Sequence, residues 1–278
     1  MPLTLEQQQL VDHWFPGAVL VQDLSWGLID TTVLHLRVDG REFIVKAGGP
    51  DNHHLDREIT GHAEFTAPWL RECRIGRMIH ADQARRVLVL EYLPGVLVEG
   101  TPAESDPQTH RQAGQLLAVL HGQASRVDDQ YEQRMDARAL RWLDGQHRIE
   151  PTTEARLRHV ISEHERPPAV LVPTHGDWQP RNWLINNDQV LVIDLGRADW
   201  RPALSDLVRL SFQQWHERAD LEVAFLDGYG PDPREPTAWH RALLREAIGT
   251  ACWAWHVGDE PFEQQGHRMI HHVLSMLG

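Results

Sequence analysis

Lysine is all but missing from this chain. Of the 27 basic side chains in 278 residues, 26 are arginine, and Lys46 is the single lysine. Cysteine is nearly as scarce. Cys73 and Cys252 lie 179 positions apart, which leaves no disulfide framework and no cysteine-based zinc pattern, and a reducing cytoplasm is expected. No apolar run approaches the roughly 20 residues that a membrane helix needs. The opening MPLTLEQQQL lacks the basic and apolar regions of a signal peptide. No membrane partner is expected. Positive charge is short as well. A net charge of −13 argues against nucleic acid, whose phosphates call for basic patches. Repeats and low-complexity tracts are absent. The 18 histidines include the pairs His53-His54 and His271-His272, but neither has HExxH or Cys/His spacing, so a structural metal is not expected.

The lone lysine sits in FIVKAGG, residues 43–49. A GC-rich gene would favour arginine codons over lysine codons, and a lysine that survives such a bias would mark a place where a guanidinium will not serve. Lysine is a compact, rotatable point charge, whereas arginine is a wide planar fork. A site that needs lysine is small and sterically defined. The plain alternative is chance survival on a solvated strand.

Along the chain, Thr4 and Gln7 form a capping box ahead of Leu10, Val11 and Trp14, and Pro16-Gly17 ends that helix. AVLVQDL (18–24), TTVLHLRV and REFIVK read as an antiparallel meander, with Asp39-Gly40 as a hairpin turn of the primed type. Phe43 and Val45 then face one way, and Ile44 and Lys46 the other. A helix is expected over about 54–66, with Leu55, Ile59 and Ala63 as its buried stripe. Two more strands, RMIHAD and RRVLVLEYL, follow. After Pro94-Gly95 helical patterns dominate, with stripes at Ala113, Leu116, Leu117 and Leu120 and at Leu244, Ala247, Ile248 and Ala251. Between them AVLV (169–172), WLI (183–185) and VLVIDL (190–195) form a second strand cluster. The expectation is an α+β chain of two lobes joined at EYLPG: residues 1–93 as a sheet lobe with one main helix, residues 94–278 as a mostly helical lobe.

The strand cluster holds THGDWQPRNWL and then VIDLG. Asp177 is followed five residues later by Asn182 and twelve after that by Asp194. Two carboxylates and an amide leaving strand ends suit a hard cation such as Mg²⁺, which completes its shell with waters and phosphate oxygens. Asp177, placed beside a bound hydroxyl, can accept that hydroxyl's proton.

These residues resemble the catalytic loop of the protein-kinase-like fold, in particular its aminoglycoside phosphotransferase and choline kinase branch. HGD stands where protein kinases carry HRD, and IDLG where they carry DFG. No A-P-E segment follows, which speaks against a protein kinase. The resemblance spans nearly the whole chain, through DREI with Glu58, EYLPG, LLAVLHG, ALSDL with Asp206 and GDEPFEQQGHRM. It implies a bilobal fold with an N-terminal nucleotide-binding lobe and a C-terminal catalytic and acceptor-binding lobe. It implies Asp177 as catalytic base and Asn182 and Asp194 as Mg²⁺ ligands. Lys46, paired with Glu58, would touch the α- and β-phosphates of ATP or GTP, and backbone groups from Glu91 to Leu93 would hold the purine. His175 and Asp206 would be structural supports. Arg181 and Arg197 lie beside the motif, to meet phosphate or to stay on the surface. One departure concerns SWGLIDTT, where Gly27 is the single glycine and protein kinases carry three. Ser25 and Gly27 are still expected near the phosphates.

The acceptor is read from charge. Residues 96–278 hold 27 acidic and 18 basic side chains, a net −9, and the stretch 217–236 holds six acidic and two basic. Asp227, Trp255, Asp259 and Glu260 are the candidate contacts for a cationic ring, by charge and cation–π attraction. Three readings compete. The first is an O-phosphotransferase for an aminoglycoside or another basic antibiotic. The second is a metabolic kinase for a sugar, amino sugar or amino alcohol. The third is an inactive nucleotide-binding pseudokinase, against which the intact Lys46, Asp177, Asn182 and Asp194 stand.

Overall fold

The computed structural model describes residues 3–25, 30–50 and 52–276. Gly27 therefore lies outside the described residues. In chain order the first elements are α1 (Leu5–Trp14), β1 (Val19–Asp23), β2 (Thr31–Val38), β3 (Arg41–Gly48), α2 (His53–Glu64), α3 (Ala67–Arg71), β4 (Met78–Asp82) and β5 (Val87–Glu91). Next come β6 (Val96–Leu97), α4 (Pro107–His121), β7 (Arg126–Asp128), α5 (Tyr131–Asp144), α6 (Pro151–Ser162) and β8 (Ala169–Thr174). The remainder holds β9 (Trp183–Asn186), β10 (Gln189–Val192), α7 (Val208–Phe212), α8 (Ala219–Tyr229), α9 (Pro236–Val257) and α10 (Glu260–Ser275). This is the α+β composition read from the sequence. No helix among the described residues is long and apolar enough to cross a membrane.

The chain divides into two compact units. The first comprises Met1–Gln123, Pro173–Trp200 and Glu217–Gly230. Its main sheet is antiparallel, in the order β1-β2-β3-β5-β4. Asp39 and Gly40, both at positive φ (49° and 78°), make the primed turn between β2 and β3. Alternation along β3 sends Phe43, Val45 and Ala47 into a core with Val11, Phe15, Val87 and Val89. Ile44 faces the other way, against Leu55, Ile59, Leu88 and Leu90. Lys46 shares the parity of Ile44 and so faces α2.

The Thr4/Gln7 capping box starts α1. Gln7 also donates to the carbonyls of Gly48 (3.0 Å) and Arg85 (2.9 Å), which ties α1 to the sheet. Asn52 caps α2, accepting from the N–H groups of His54 and Leu55 at 3.1 Å each. The buried face of α2 carries Leu55, Glu58, Ile59 and His62. Ala63, expected in that stripe, is exposed. At 100° per residue it is turned about 80° from Leu55, while Glu58, Ile59 and His62 fall within about 60° of it.

The expected second strand cluster is not one sheet. β9 and β10 pair with each other, and β9 also pairs with β6, whereas β8 pairs with β7. The stretch 193–195 leaves the ladder, because Asp194 adopts a left-handed φ of 64°. Asn187 and Asp188, at φ 46° and 61°, turn β9 into β10.

Helices α4 and α8 touch through backbone. A Cβ on Gly114 would stand 2.1 Å from the Phe225 carbonyl oxygen, and one on Gly228 would stand 2.0 Å from that of Arg111. The contact is closed by Arg111 and Asp227 at 3.2 Å.

The second unit comprises Ala124–Val172, Arg201–His216 and Pro231–Gly278. Its core joins α5 (Ala139, Leu143), α6 (Leu157, Ile161), α9 (Leu244, Ala247, Ile248, Ala251) and α10 (Ile270, Val273). Glu132 and Asp136 of α5 are buried and bonded to Arg241 and Arg245 of α9. Truncating Glu132 takes away the carboxylate that pairs the buried Arg241, whereas Arg245 keeps one carboxylate when the other is removed.

Gly228→Val tests the α4–α8 contact. It should lower stability by about 1–3 kcal/mol, because neither helix backbone can give way locally. A thermal or urea unfolding curve checks this.

Candidate active site

Five side chains of the first unit form one charged group. Lys46 Nζ lies 2.6 Å from Glu58 Oε1 and 4.0 Å from Asp194 Oδ1. The Lys46 side chain is 13% exposed and that of Glu58 4%. Strand β3 supplies the lysine, the buried face of α2 supplies the glutamate, and the left-handed turn after β10 supplies Asp194. Helix α2 rests on that turn. Gly61 lies against Leu195 and Ala198, where an added Cβ would stand 3.2 and 3.0 Å from their Cβ atoms. His54 Nδ1 meets the Gly196 carbonyl at 3.0 Å.

The charges set one another. Burial pulls Lys46 toward neutrality, but the carboxylates of Asp194 and Glu58 hold its pKa above the ordinary value. Burial pushes Glu58 up, against the pull of Lys46. Asp194 feels burial too, yet Lys46 and the Gly196 N–H (3.0 Å) hold it below the usual range, while the charge of Asp177 pushes against it. Asp194 keeps half its side chain exposed. It therefore presents oxygen to solvent while its backbone is fixed.

Asp177 is buried and ringed by donors from its own loop. Gln179 Nε2 reaches Oδ1 at 2.6 Å, and Arg181 Nη2 reaches Oδ2 at 2.6 Å. Asn182 Nδ2 donates to the Asp177 carbonyl at 2.7 Å and to Oδ2 at 3.0 Å. With its NH₂ group committed, Asn182 has its Oδ1 as the atom for a cation. The oxygen donors of Asn182 and Asp194 suit Mg²⁺, which uses one or two protein ligands. No cluster of three or more His, Cys, Asp or Glu able to hold a metal occurs among the described residues. His175 is fully buried, and its Nε2 bonds the Ile193 carbonyl at 3.1 Å, tying the HGD loop to the segment before Asp194. Its ring packs edge-on against Trp178, with centroids 5.2 Å apart.

The other expected residues have local roles. The Ser25 hydroxyl and N–H bond to Asp23 and hold its carboxyl below the usual range, and the hydroxyl oxygen also accepts from the Val33 N–H at 2.9 Å. Glu91 ends β5, and its carboxylate stands 3.6 Å from Arg41 and 4.0 Å from Arg77. The Tyr92 N–H bonds the Glu42 carbonyl at 3.1 Å. A cavity of about 340 Å³ opens beside Arg41, Arg77, Glu91, Tyr92 and Leu93, but Lys46, Asp177, Asn182 and Asp194 do not line it. Asp227 pairs with Arg111 on the α4–α8 contact. In the second unit Asp206 is buried, Asp259 caps α10 by accepting from the Phe262 N–H at 3.1 Å, Glu260 is exposed and Trp255 is half-buried.

Two residues escaped the sequence reading. Gln179 stands two positions after Asp177, where a polar side chain inside the motif was a visible signal. His62 follows Glu58 by one helical turn, and that spacing was its signal.

The sequence profile of the phosphotransferase enzyme family matches residues 21–243. The chain belongs to this family. This phosphotransferase has solved structural counterparts over nearly its full length. A thermostable mutant of aminoglycoside phosphotransferase APH(4)-Ia, in ternary complex with ADP and hygromycin B, superposes with a TM-score of 0.69 at 14% identity, covering 96% of this chain and 97% of that one. Choline kinase LicA from Streptococcus pneumoniae gives 0.68 at 11% identity, covering 97% of each chain. Macrolide 2′-phosphotransferase MphH from Brachybacterium faecium gives 0.61 at 16%, covering 97% and 98%. At these identities the likeness establishes the shared kinase-like fold. No curated protein matches the chain in sequence.

His62 gives the phosphotransferase a pH signature. It is 6% exposed, and neither ring nitrogen has a hydrogen-bond partner. Burial, with the charge of Lys46, lowers its pKa from 6.5 to about 3. The unfolded chain therefore binds a proton below pH 6.5 that the folded chain refuses, so stability falls as pH drops. By pH 5 this one group costs about 2 kcal/mol. In His62→Leu the gap between unfolding free energies at pH 7 and pH 5 should shrink by that amount, as read from urea titrations at the two pH values.

Proposed function

We propose that this phosphotransferase moves the γ-phosphoryl group of ATP or GTP to a hydroxyl of a cationic small molecule. The observation that carries the reading is the convergence of Lys46, Glu58 and Asp194 at 2.6 and 4.0 Å, beside an Asp177 interlocked with Asn182. Lys46 holds the α- and β-phosphates. Asp177 orients the acceptor hydroxyl and takes its proton as the new oxygen–phosphorus bond forms and the bond to the β-phosphate oxygen breaks. Asn182 and Asp194 would hold Mg²⁺, which would supply charge neutralisation for the phosphates. Backbone groups of Glu91 to Leu93 take the purine, Ser25 and Gly27 serve the phosphates, His175 braces the loop through the Ile193 carbonyl, and Asp206 is a structural support. Residues 1–93 serve as the nucleotide lobe and 94–278 as the catalytic and acceptor lobe. Positioning and electrostatics supply most of the acceleration.

The net charge of −13 and the neighbours support a cationic acceptor. The aminoglycoside and choline enzymes act on alcohols that carry positive charge. Asp227, Trp255, Asp259 and Glu260 stay candidate acceptor contacts, with Asp227 already paired to Arg111 and Asp259 already capping α10. An aminoglycoside or other basic antibiotic is the first candidate, and an amino alcohol or amino sugar the second. Resistance conferred on a sensitive host separates the two.

A screen of hydroxyl acceptors with Mg²⁺ and either nucleotide, coupled to nucleoside diphosphate release, tests the reading. Asp177→Ala should lower kcat by at least about 10²- to 10⁴-fold while nucleotide binding survives. Near-full turnover in that variant would remove Asp177 from the mechanism. Lys46→Arg should raise the nucleotide KM and lower kcat, because a planar fork replaces a point charge beside Glu58.

A further inference from the structure

The Asp177 carboxylate has three donors within its own motif, and they are not alike. Gln179 and Asn182 are neutral amides, both buried. Arg181 is a cation, and its side chain is 36% exposed while that of Asp177 is 8% exposed. The short helical turn Pro180–Asn182 folds Arg181 back over Asp177, four residues earlier, to 2.6 Å. Pro180 opens that turn with its φ already set, so the return is built into the backbone.

The charge around this contact gives it a task. Asp177 and Asp194 repel each other across the site. Lys46 stands at 4.0 Å from Asp194. A triphosphate entering beside two carboxylates adds more negative charge. A carboxylate in that position turns away or recruits a cation unless one is already present. Most ion pairs between exposed side chains contribute little. This one is different in that one partner is buried, and a charge-assisted bond to a fixed carboxylate orients as well as attracts.

We propose that Arg181 is a positioning residue for the transfer reaction. Its guanidinium holds the Asp177 carboxylate in one orientation and offsets its charge while the triphosphate and the acceptor hydroxyl assemble. Arg181 thus does on the Asp177 side what Lys46 does on the Asp194 side. The inference rests on the reading of Asp177 as the base.

The test uses the full chain with Arg181→Met and Arg181→Lys, the acceptor found by the screen, and binding of a non-hydrolysable nucleotide analogue with Mg²⁺. Arg181→Met should lose about 10- to 100-fold in kcat, the scale of a misplaced catalytic group. Its nucleotide KM and analogue affinity should stay within about threefold of wild type, since Lys46, Asn182 and Asp194 are untouched. Arg181→Lys should regain about a third or more of the loss on a logarithmic scale, because the charge returns without the fork. A kcat in Arg181→Met within about twofold of wild type overturns the proposal. So does a raised nucleotide KM with kcat preserved, which would make Arg181 a phosphate contact.

NMR of the arginine side chains, without nucleotide or acceptor, separates this inference from the function reading. Beside the slowed guanidinium signals of Arg241 and Arg245, wild type should show one assigned to Arg181 by its loss in Arg181→Met, with slowed N–H exchange and hindered rotation that are released in Asp177→Asn. A freely rotating Arg181 in wild type overturns the proposal even if transfer is found. A wild type that phosphorylates no hydroxyl sinks the function reading while this signal still reports on the pairing.

Discussion

The site depends on an ammonium group that is buried and yet must stay charged. Taking Lys46 out of water favours its neutral form, and only carboxylates at close range reverse that. Glu58 at 2.6 Å and Asp194 at 4.0 Å are those carboxylates. Each comes from a different element, so the ion pair is also a structural joint. Strand β3 cannot shift without losing Glu58, and α2 cannot shift without uncovering Leu195 and Ala198. The hydrophobic contacts of Leu55 and Ile59 with Leu88 and Leu90 hold α2 at the height where Glu58 meets Lys46. Apolar packing sets the geometry, and the ion pair converts that geometry into a defined charge.

Counting charges across the group explains why a divalent cation and a polyanion suit it together. Glu58, Asp177 and Asp194 carry three negative charges, and Lys46 and Arg181 two positive. On the proposed reading, a residual −1 would attract a metal ion and repel a bare triphosphate, and the charge of a bound metal ion would reverse that sign. Of these four acidic and amide groups, Asp194 alone keeps half its side chain exposed, while Asp177, Asn182 and Glu58 are shielded from water.

Much of this was legible in the sequence because it depended on short-range patterns. Period-two alternation put Lys46 on the face opposite Phe43 and Val45, and the primed turn at Asp39-Gly40 fixed the register that carries it. The spacing of Asp177, Asn182 and Asp194 survived translation into a loop, a short turn and a left-handed backbone. What escaped was set by packing. Ala63 has the right residue type for the buried stripe of α2, but the packing of Leu55 and Ile59 on Leu88 and Leu90 buries the face that carries Glu58 and His62 instead. The strand cluster split because pairing partners come from distant parts of the chain: β6 for β9, and β7 for β8. Gln179 and Arg181 were visible as letters, but only the folded loop shows that both point back at Asp177.

The acidic character of the chain has to be read after its local pairs are removed. In the stretch 217–236, Asp220 is paired with Arg218, Asp232 with Arg234 and Asp227 with Arg111, and Glu235 caps α9. At least four of its six acids therefore already have work within the fold. The same is true of Asp259 at the start of α10. A cationic acceptor would then be drawn by the general field of the protein more than by a dense acidic wall, and such a field steers association without fixing orientation. Orientation has to come from the reacting end, and there the nearest exposed charge beside Asp177 is the Arg181 guanidinium. On the proposed reading, the charge that an acceptor hydroxyl would meet there is that guanidinium, already offset by the Asp177 carboxylate it holds.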